Sequence, residues 1–198
     1  MGGSDCEHIG QGLLAQPANT LSSFAYVVAG ALLLWRAFAR RSPPHVATLV
    51  YAVMVLGVGV GSVAFHGPMP AWGRFAHDFS IAAVLAFVIG YDVALARGAT
   101  VGRGLVIFSV VGAVCAVVLA GWPDAANGLD ALLVAGAVAA ELAATRSPTG
   151  RAAGNARVWI LAAGVLTIGA VVNALGRTDA PLCDANSPAQ LHAVWHVA

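Results

Sequence analysis

Residues 46–66 read VATLVYAVMVLGVGVGSVAFH, a run with no Asp, Glu, Lys or Arg that closes on a serine and a histidine one helical turn apart. About 20 apolar residues cross a bilayer as a helix, so this stretch reads as one complete span with polar chemistry at its end. Working outward, five further stretches have the same character: roughly 20–39, 75–96, 104–121, 127–144 and 158–176. Each is bounded by Arg, Gly, Pro or Asp, as in Arg40-Arg41-Ser42-Pro43-Pro44 and Arg146-Ser147-Pro148. A seventh apolar helix begins near Pro188, and the chain stops at Ala198, well short of a full span.

Composition supports this reading. Of the 198 residues, 59% are hydrophobic and 10% charged, where a soluble domain carries about 25% charged residues. A disordered chain and a soluble globular domain are both excluded. A formal net charge of +1 offers no electrostatic footprint for phosphates, so nucleic acid is not a partner. No basic residue precedes the first apolar run, so the amino terminus is not a secretory signal. There is no internal repeat and no second soluble domain. The expected fold is all-α: a polytopic seven-helix membrane bundle forming a single transmembrane domain over 1–198, its last helix (188–198) partial.

Loop charges set an orientation. The tail and every second loop hold Arg74 and Arg177, whereas the opposite loops and helix ends hold Arg36, Arg40, Arg41, Arg97, Arg103, Arg146, Arg151 and Arg157. Arginine accumulates on the cytoplasmic side, so the amino terminus is expected outside, which in a bacterial inner membrane is the periplasm. Trp72, Trp122 and Trp195 fit an outer aromatic belt, and Trp35 and Trp159 an inner one.

Titratable side chains inside spans are costly and therefore functional candidates. Ser62 and His66 close the second span, Asp78 opens the third, and His192 and His196 open the seventh. With alternating spans, all five lie at the face that carries the amino terminus. Residues i and i+4 share one side of a helix, so His192 and His196 can bind one ion, with His66 as a third ligand. Three protein ligands and an open position form the catalytic zinc pattern; imidazole also suits copper, iron and nickel. Asp78 is then placed to take a proton from an attacking water and pass it to a leaving group, and Ser62 to donate a hydrogen bond to a developing oxyanion. For Ser62 a helix-packing role beside Gly57, Gly59 and Gly61 is the competing reading.

Other polar residues read more plainly. His45 and His77 have no partner at ligand spacing and read as interfacial. Asp92 and Glu141 read as interfacial residues near Arg97 and Arg146, and Asp130 and Asn173 as residues that could line a cavity. Cys115 reads as an apolar filler. Cys6 and Cys183 fall on the amino-terminal side, where an oxidising compartment would let them pair; two free thiols is the other reading.

Taken in order, Cys6-Glu7, Asn19-Thr20-Leu21-Ser22, Gly59-Val60-Gly61-Ser62-Val63-Ala64-Phe65-His66, Asp78 and Leu191-His192-Ala193-Val194-Trp195-His196 resemble the alkaline ceramidase family. That family belongs to a group of seven-helix membrane hydrolases that includes the adiponectin-type receptors. The resemblance covers nearly the whole chain. It implies a zinc-dependent amidase that cuts the N-acyl bond of a ceramide-like lipid, with His66, His192 and His196 as zinc ligands, Asp78 as acid/base residue and Ser62 beside the metal. It also implies a disulfide between Cys6 and Cys183. The animal enzymes add a calcium site, but here Glu7 is accompanied by Ser4, Ile9 and Gln16 at the matching positions, with Asp5 as a further carboxylate, so calcium is not carried over. The short, proline-bearing loop between spans two and three is a further departure. Three alternatives stand beside the amidase: a lipid esterase, a receptor-like protein with a structural metal, and a transporter that uses the polar cluster as a relay.

Overall fold

The computed structural model describes residues 2–153 and 156–197, with side chains described for 2–150 and 160–197. Arg151, Arg157 and Trp159 therefore lie outside the described side chains, and Ala198 outside the described residues. The fold is all-helical, with no strand among the described residues. Six long helices run in order: α1 (Pro17–Ala39), α2 (Val46–His66), α3 (Gly73–Ala96), α4 (Val101–Gly121), α5 (Ala126–Arg146) and, after the short α6 (Pro148–Ala153), α7 (Ala156–Leu175). A seven-residue helix, α8 (Leu191–Val197), follows, and a 3-10 turn at Pro123–Ala125 leads into α5.

Helix boundaries follow local chemistry. Pro17 opens α1 and Pro148 opens α6, each at a position where the missing N–H would have had no helical partner. The sequence reading took Pro148 only as a break, and α6 is the element it missed. The last helix starts at Leu191 and not near Pro188, because Ala189 N–H is taken by the Ser187 hydroxyl at 3.1 Å in a local turn.

Five segments are long and apolar enough to cross a membrane: Pro17–Ala39, Val46–His66, Gly73–Ala96, Val101–Gly121 and Pro123–Arg146. Within α7 the stretch Ile160–Leu175 is a shorter apolar helix. Large apolar side chains such as Leu32, Phe38, Val106, Val117, Leu132, Leu161 and Ile168 face outward from these helices. This is an integral membrane protein.

In lipid, helices associate through close packing rather than through escape from water, and glycines mark the crossings. A Cβ on Gly59 would stand 2.8 Å from Val27 N on α1, and one on Gly61 would stand 2.6 Å from Ala76 O and 3.0 Å from His77 N on α3. Both positions thus bring backbones together, whereas Gly57 has ordinary room. α3 is the hub, packed on α2, α4 and α5, while α8 lies against α1 and α7. Among α3, α4 and α5 the core is apolar: Ala82, Cys115, Leu119 and Leu133, with Phe79 and Ile89 beside them. Cys115 is a buried free thiol within it, as an apolar filler would be.

Candidate metal centre

The amino-terminal tail returns over the end of the bundle. Gln16 N–H donates to His66 O at 2.9 Å and Ala15 N–H to Gly67 O at 3.2 Å, which fixes the carboxyl end of α2 against the entry to α1. On the other side the tail is tied to the segment before α8. Cys6 and Cys183 form a disulfide, His8 N–H donates to Ala185 O at 3.0 Å, and Thr178 N–H to Ser4 O at 3.1 Å. The bond named by the resemblance therefore exists, and it braces the loop that delivers α8.

These ties bring three histidines from distant parts of the chain together. His66, His192 and His196 are 0%, 8% and 5% exposed. Their ring centroids lie 5.0 Å (His66–His192), 5.2 Å (His66–His196) and 4.6 Å (His192–His196) apart. One ligand nitrogen from each ring lies within 4.8 Å of the others. Ring nitrogens about 2.0–2.1 Å from a shared tetrahedral ion stand roughly 3.4 Å apart, so the rings need only a small inward movement to hold one.

The outer nitrogen of each ring is already held. His66 Nδ1 donates to Gln16 Oε1 at 2.7 Å, and the Gln16 amide cannot be reversed because its Nε2 donates to Gly2 O at 2.9 Å and Glu7 O at 3.0 Å. His192 Nδ1 meets Asn173 Oδ1 of α7 at 2.8 Å. His196 Nδ1 meets Ser22 Oγ at 2.8 Å, and that hydroxyl donates to Asn19 O at 3.0 Å. With the proton on Nδ1, each ring presents the lone pair of Nε2. His66 Nε2 and His192 Nε2 are buried without a partner among the described residues. Metal-binding imidazoles show this arrangement: the far nitrogen hydrogen-bonded, the near one bare. The residues fit a metal ion. Gly2 contributes by its lack of a side chain, since a Cβ there would stand 2.6 Å from Gln16 Oε1, and its φ of +69° suits glycine.

Ser62 is buried beside the cluster. Its Oγ lies 2.8 Å from Ser23 Oγ and 3.5 Å from His196 Nε2. Ser23 in turn donates to Asn19 O at 2.6 Å, and Tyr26 packs edge-on against the His196 ring. The Asp5 carboxylate sits 3.9 Å from His66 Nδ1 and 3.8 Å from His192 Nδ1, too far to be a direct hydrogen bond. Burial pushes the Asp5 carboxyl above its ordinary range, against opposing pulls from Ser4, His77 and Arg177.

Of the tail positions matched to a calcium site, two are engaged elsewhere and one is apolar. The Glu7 carboxylate accepts Ala18 N–H at 2.7 Å and Asn19 N–H at 2.9 Å, serving as the amino-terminal cap of α1. Gln16 Oε1 is taken by His66, and Ile9 offers no side-chain donor at all.

Asp78 lies on α3, and the contacts of its carboxylate are to its neighbours there. Oδ1 accepts from His77 Nδ1 at 2.8 Å, and Oδ2 lies 3.7 Å from Arg74 Nε. Arg74 also binds Asp124 Oδ1 at 2.7 Å and Pro123 O at 2.9 Å. His77, read from sequence as merely interfacial, is instead stacked on Phe65 at 4.5 Å and edge-on to His66 at 5.8 Å. The spacing test overlooked it because its partner is the next residue and its neighbours come from another helix. Nothing in the sequence pattern ties Gln16, Ser22 or Ser23 to a histidine ring. Asp92 is 5% exposed, with its carboxyl against Glu141 of α5.

A search of curated proteins and a search of solved structures each returned no match. A sequence model of the family described as Ceramidase matches residues 7–198, a stretch that includes all three clustered histidines, Ser62 and Asp78. With that match over nearly its whole length, the chain belongs to the ceramidase family, hydrolases acting on the amide bond of ceramide.

Proposed function

We propose that the protein is a zinc-dependent membrane amidase that hydrolyses the N-acyl bond of a ceramide-like lipid with water as the nucleophile. The observation that carries this reading is the set of three imidazoles, each restrained through Nδ1, with bare Nε2 atoms on two of them. His66, His192 and His196 would hold the ion. When bound, zinc supplies Lewis acidity and lowers the pKa of its water from 15.7 to about 7.

The chain's own groups do the rest. Gln16, Asn173 and Ser22 keep the three rings in one tautomer and orientation. Ser62, whose hydroxyl lies within reach of both Ser23 and His196, donates to the substrate carbonyl oxygen as charge develops there. Asp78 takes a proton from the attacking water and passes it to the departing amine. Burial of the cluster excludes bulk water, which strengthens each of these interactions. The long acyl chain would be accommodated by the apolar flanks of the helices. The arginine asymmetry and the disulfide both favour an outward amino terminus, so the reaction would take place at the outer, oxidising face of a bacterial inner membrane.

The test is mass spectrometry of ceramide-like lipids incubated with the purified protein, with and without a chelator. The expected result is release of fatty acid and free sphingoid amine that stops on chelation, with about one zinc per chain by metal analysis. Release that persists without metal, or no release at all, overturns the proposal. An N-acyl amide and its ester analogue run side by side separate amidase from esterase.

A further inference from the structure

We infer that Asp5 is a positioning residue of the metal centre, its carboxylate supplying the negative charge behind two of the three imidazoles and so setting how tightly the cluster holds a cation. The inference rests on the metal-site reading above and deepens it at one residue. The two carboxylate oxygens are divided between two rings. Oδ2 lies 3.9 Å from His66 Nδ1, and Oδ1 lies 3.8 Å from His192 Nδ1. With the proton on each Nδ1, shared with Gln16 Oε1 and Asn173 Oδ1, the carboxylate faces the positive edge of both rings. A carboxylate on that side makes an imidazole a stronger ligand through its other nitrogen.

The carboxylate has little else to hold it. Asp5 is 7% exposed. Its Oδ1 accepts from the Ser4 hydroxyl at 3.0 Å, and its Oδ2 has no hydrogen-bond partner among the described residues. A buried carboxylate that is neither paired nor fully hydrogen-bonded is costly, and a cation gripped by the rings in front of it offsets that cost. Gln16 and Asn173 orient their rings by hydrogen bonds, whereas Asp5, beyond hydrogen-bond range of both, acts through charge, which a buried, low-dielectric site screens little.

The backbone around Asp5 is fixed by the loop that delivers two of the ligands. Asp5 N–H donates to Gly2 O at 3.1 Å, and Asp5 O accepts Glu7 N–H at 2.8 Å. Thr178, between α7 and α8, clamps the residues on either side: its hydroxyl donates to Gly3 O at 2.6 Å and accepts Cys6 N–H at 3.1 Å, and its N–H donates to Ser4 O at 3.1 Å. The Cys6–Cys183 disulfide closes the same connection. Asp5 therefore reaches the cluster on the segment that also carries His192 and His196 into place.

The experiment is Asp5→Asn in the full chain, which keeps the side chain's shape and an oxygen for Ser4 and removes only the charge. Zinc affinity is read by competition against a chelator of known affinity, and the melting temperature of the metal-free protein by tryptophan fluorescence. Asp179→Asn, at an exposed carboxylate of the same loop, is the control. Zinc binding by Asp5→Asn is expected to weaken about 10–100-fold. The metal-free melting temperature is expected to hold or rise, because a buried charge has been removed, and the control should bind as the unaltered protein does. Unchanged affinity in Asp5→Asn overturns the inference. A lowered metal-free melting temperature also overturns it, since the residue would then be structural, as does an equal loss of affinity in Asp179→Asn, which would make the effect one of net charge. An unaltered protein that binds zinc but releases no fatty acid defeats the amidase reading and leaves this one standing; one that binds no zinc defeats the metal site and this inference with it.

Discussion

The two ends of the bundle both bury polar side chains, and they do so to different effect. At the amino-terminal end, five buried side-chain atoms have no partner among the described residues: Asp5 Oδ2, both amide atoms of Asn19, His66 Nε2 and His192 Nε2. At the opposite end of α3 the corresponding atom is Asp92 Oδ2, in a carboxyl that already faces Glu141. Leaving a buried polar group unmade costs about 1–3 kcal/mol, so both ends carry a penalty. The difference lies in convergence. The imidazole nitrogens point to one spot from two helices, and their far sides are each anchored by an oxygen. Asp92 faces one other acid, Glu141, and no second unpartnered atom among the described residues converges with it. A lone unsatisfied atom marks a tolerated cost, whereas a converging set marks a place for a ligand.

The sharpest way to break this comparison is to remove one converging nitrogen. His192→Ala should drop zinc from about one per chain to a small fraction of that and reduce turnover to the chelated level, since two imidazoles do not make the three-ligand site. Metal analysis beside the lipid assay checks both, and full zinc in the variant would show that the cluster is not the metal site. A smaller effect is expected one step out. Asn173→Ala removes the oxygen that holds His192 Nδ1, and loss of such a partner weakens metal binding about 10–100-fold. Competition against a chelator of known affinity measures it, and an unchanged affinity would show that the ring is oriented by other contacts. The smallest effect belongs to the other end. Asp92→Asn keeps the shape of the side chain, so zinc content should be unaltered and stability should change by about 1 kcal/mol at most. A loss of zinc there as large as in Asn173→Ala would erase the distinction between the ends.

Much of this architecture is legible in the chain itself. The long helices follow from apolar runs bounded by Arg, Gly and Pro, and the structure places their ends within a few residues of those breaks. The three histidines were found because i, i+4 spacing and alternating spans are both local rules that need no tertiary information. Harder to read were the contacts between segments. Gln16, Ser22 and Asn173 give no sign in sequence of which ring they hold, and each gains that role only because another element brings an imidazole to it. His77 was set aside for the same reason: its ring gains meaning from Phe65 and His66 on α2, not from its own neighbours at helical spacing. The glycines beside Ser62 suggest close packing without naming a partner; the fold supplies α1 at Gly59 and α3 at Gly61, and leaves Gly57 ordinary room.

What the sequence alone determined is depth: which residues lie in lipid, which histidines share one face of the membrane, and which family pattern they follow. Hydropathy and helical periodicity are short-range properties, and a bilayer turns them directly into position along its normal. Only the tertiary structure decided rotation and neighbourhood, namely which nitrogen of each ring is held, which oxygen holds it, and which rings lie against one another. Those choices are set by how helices turn against one another and by where the tail is stapled, and no local pattern encodes either.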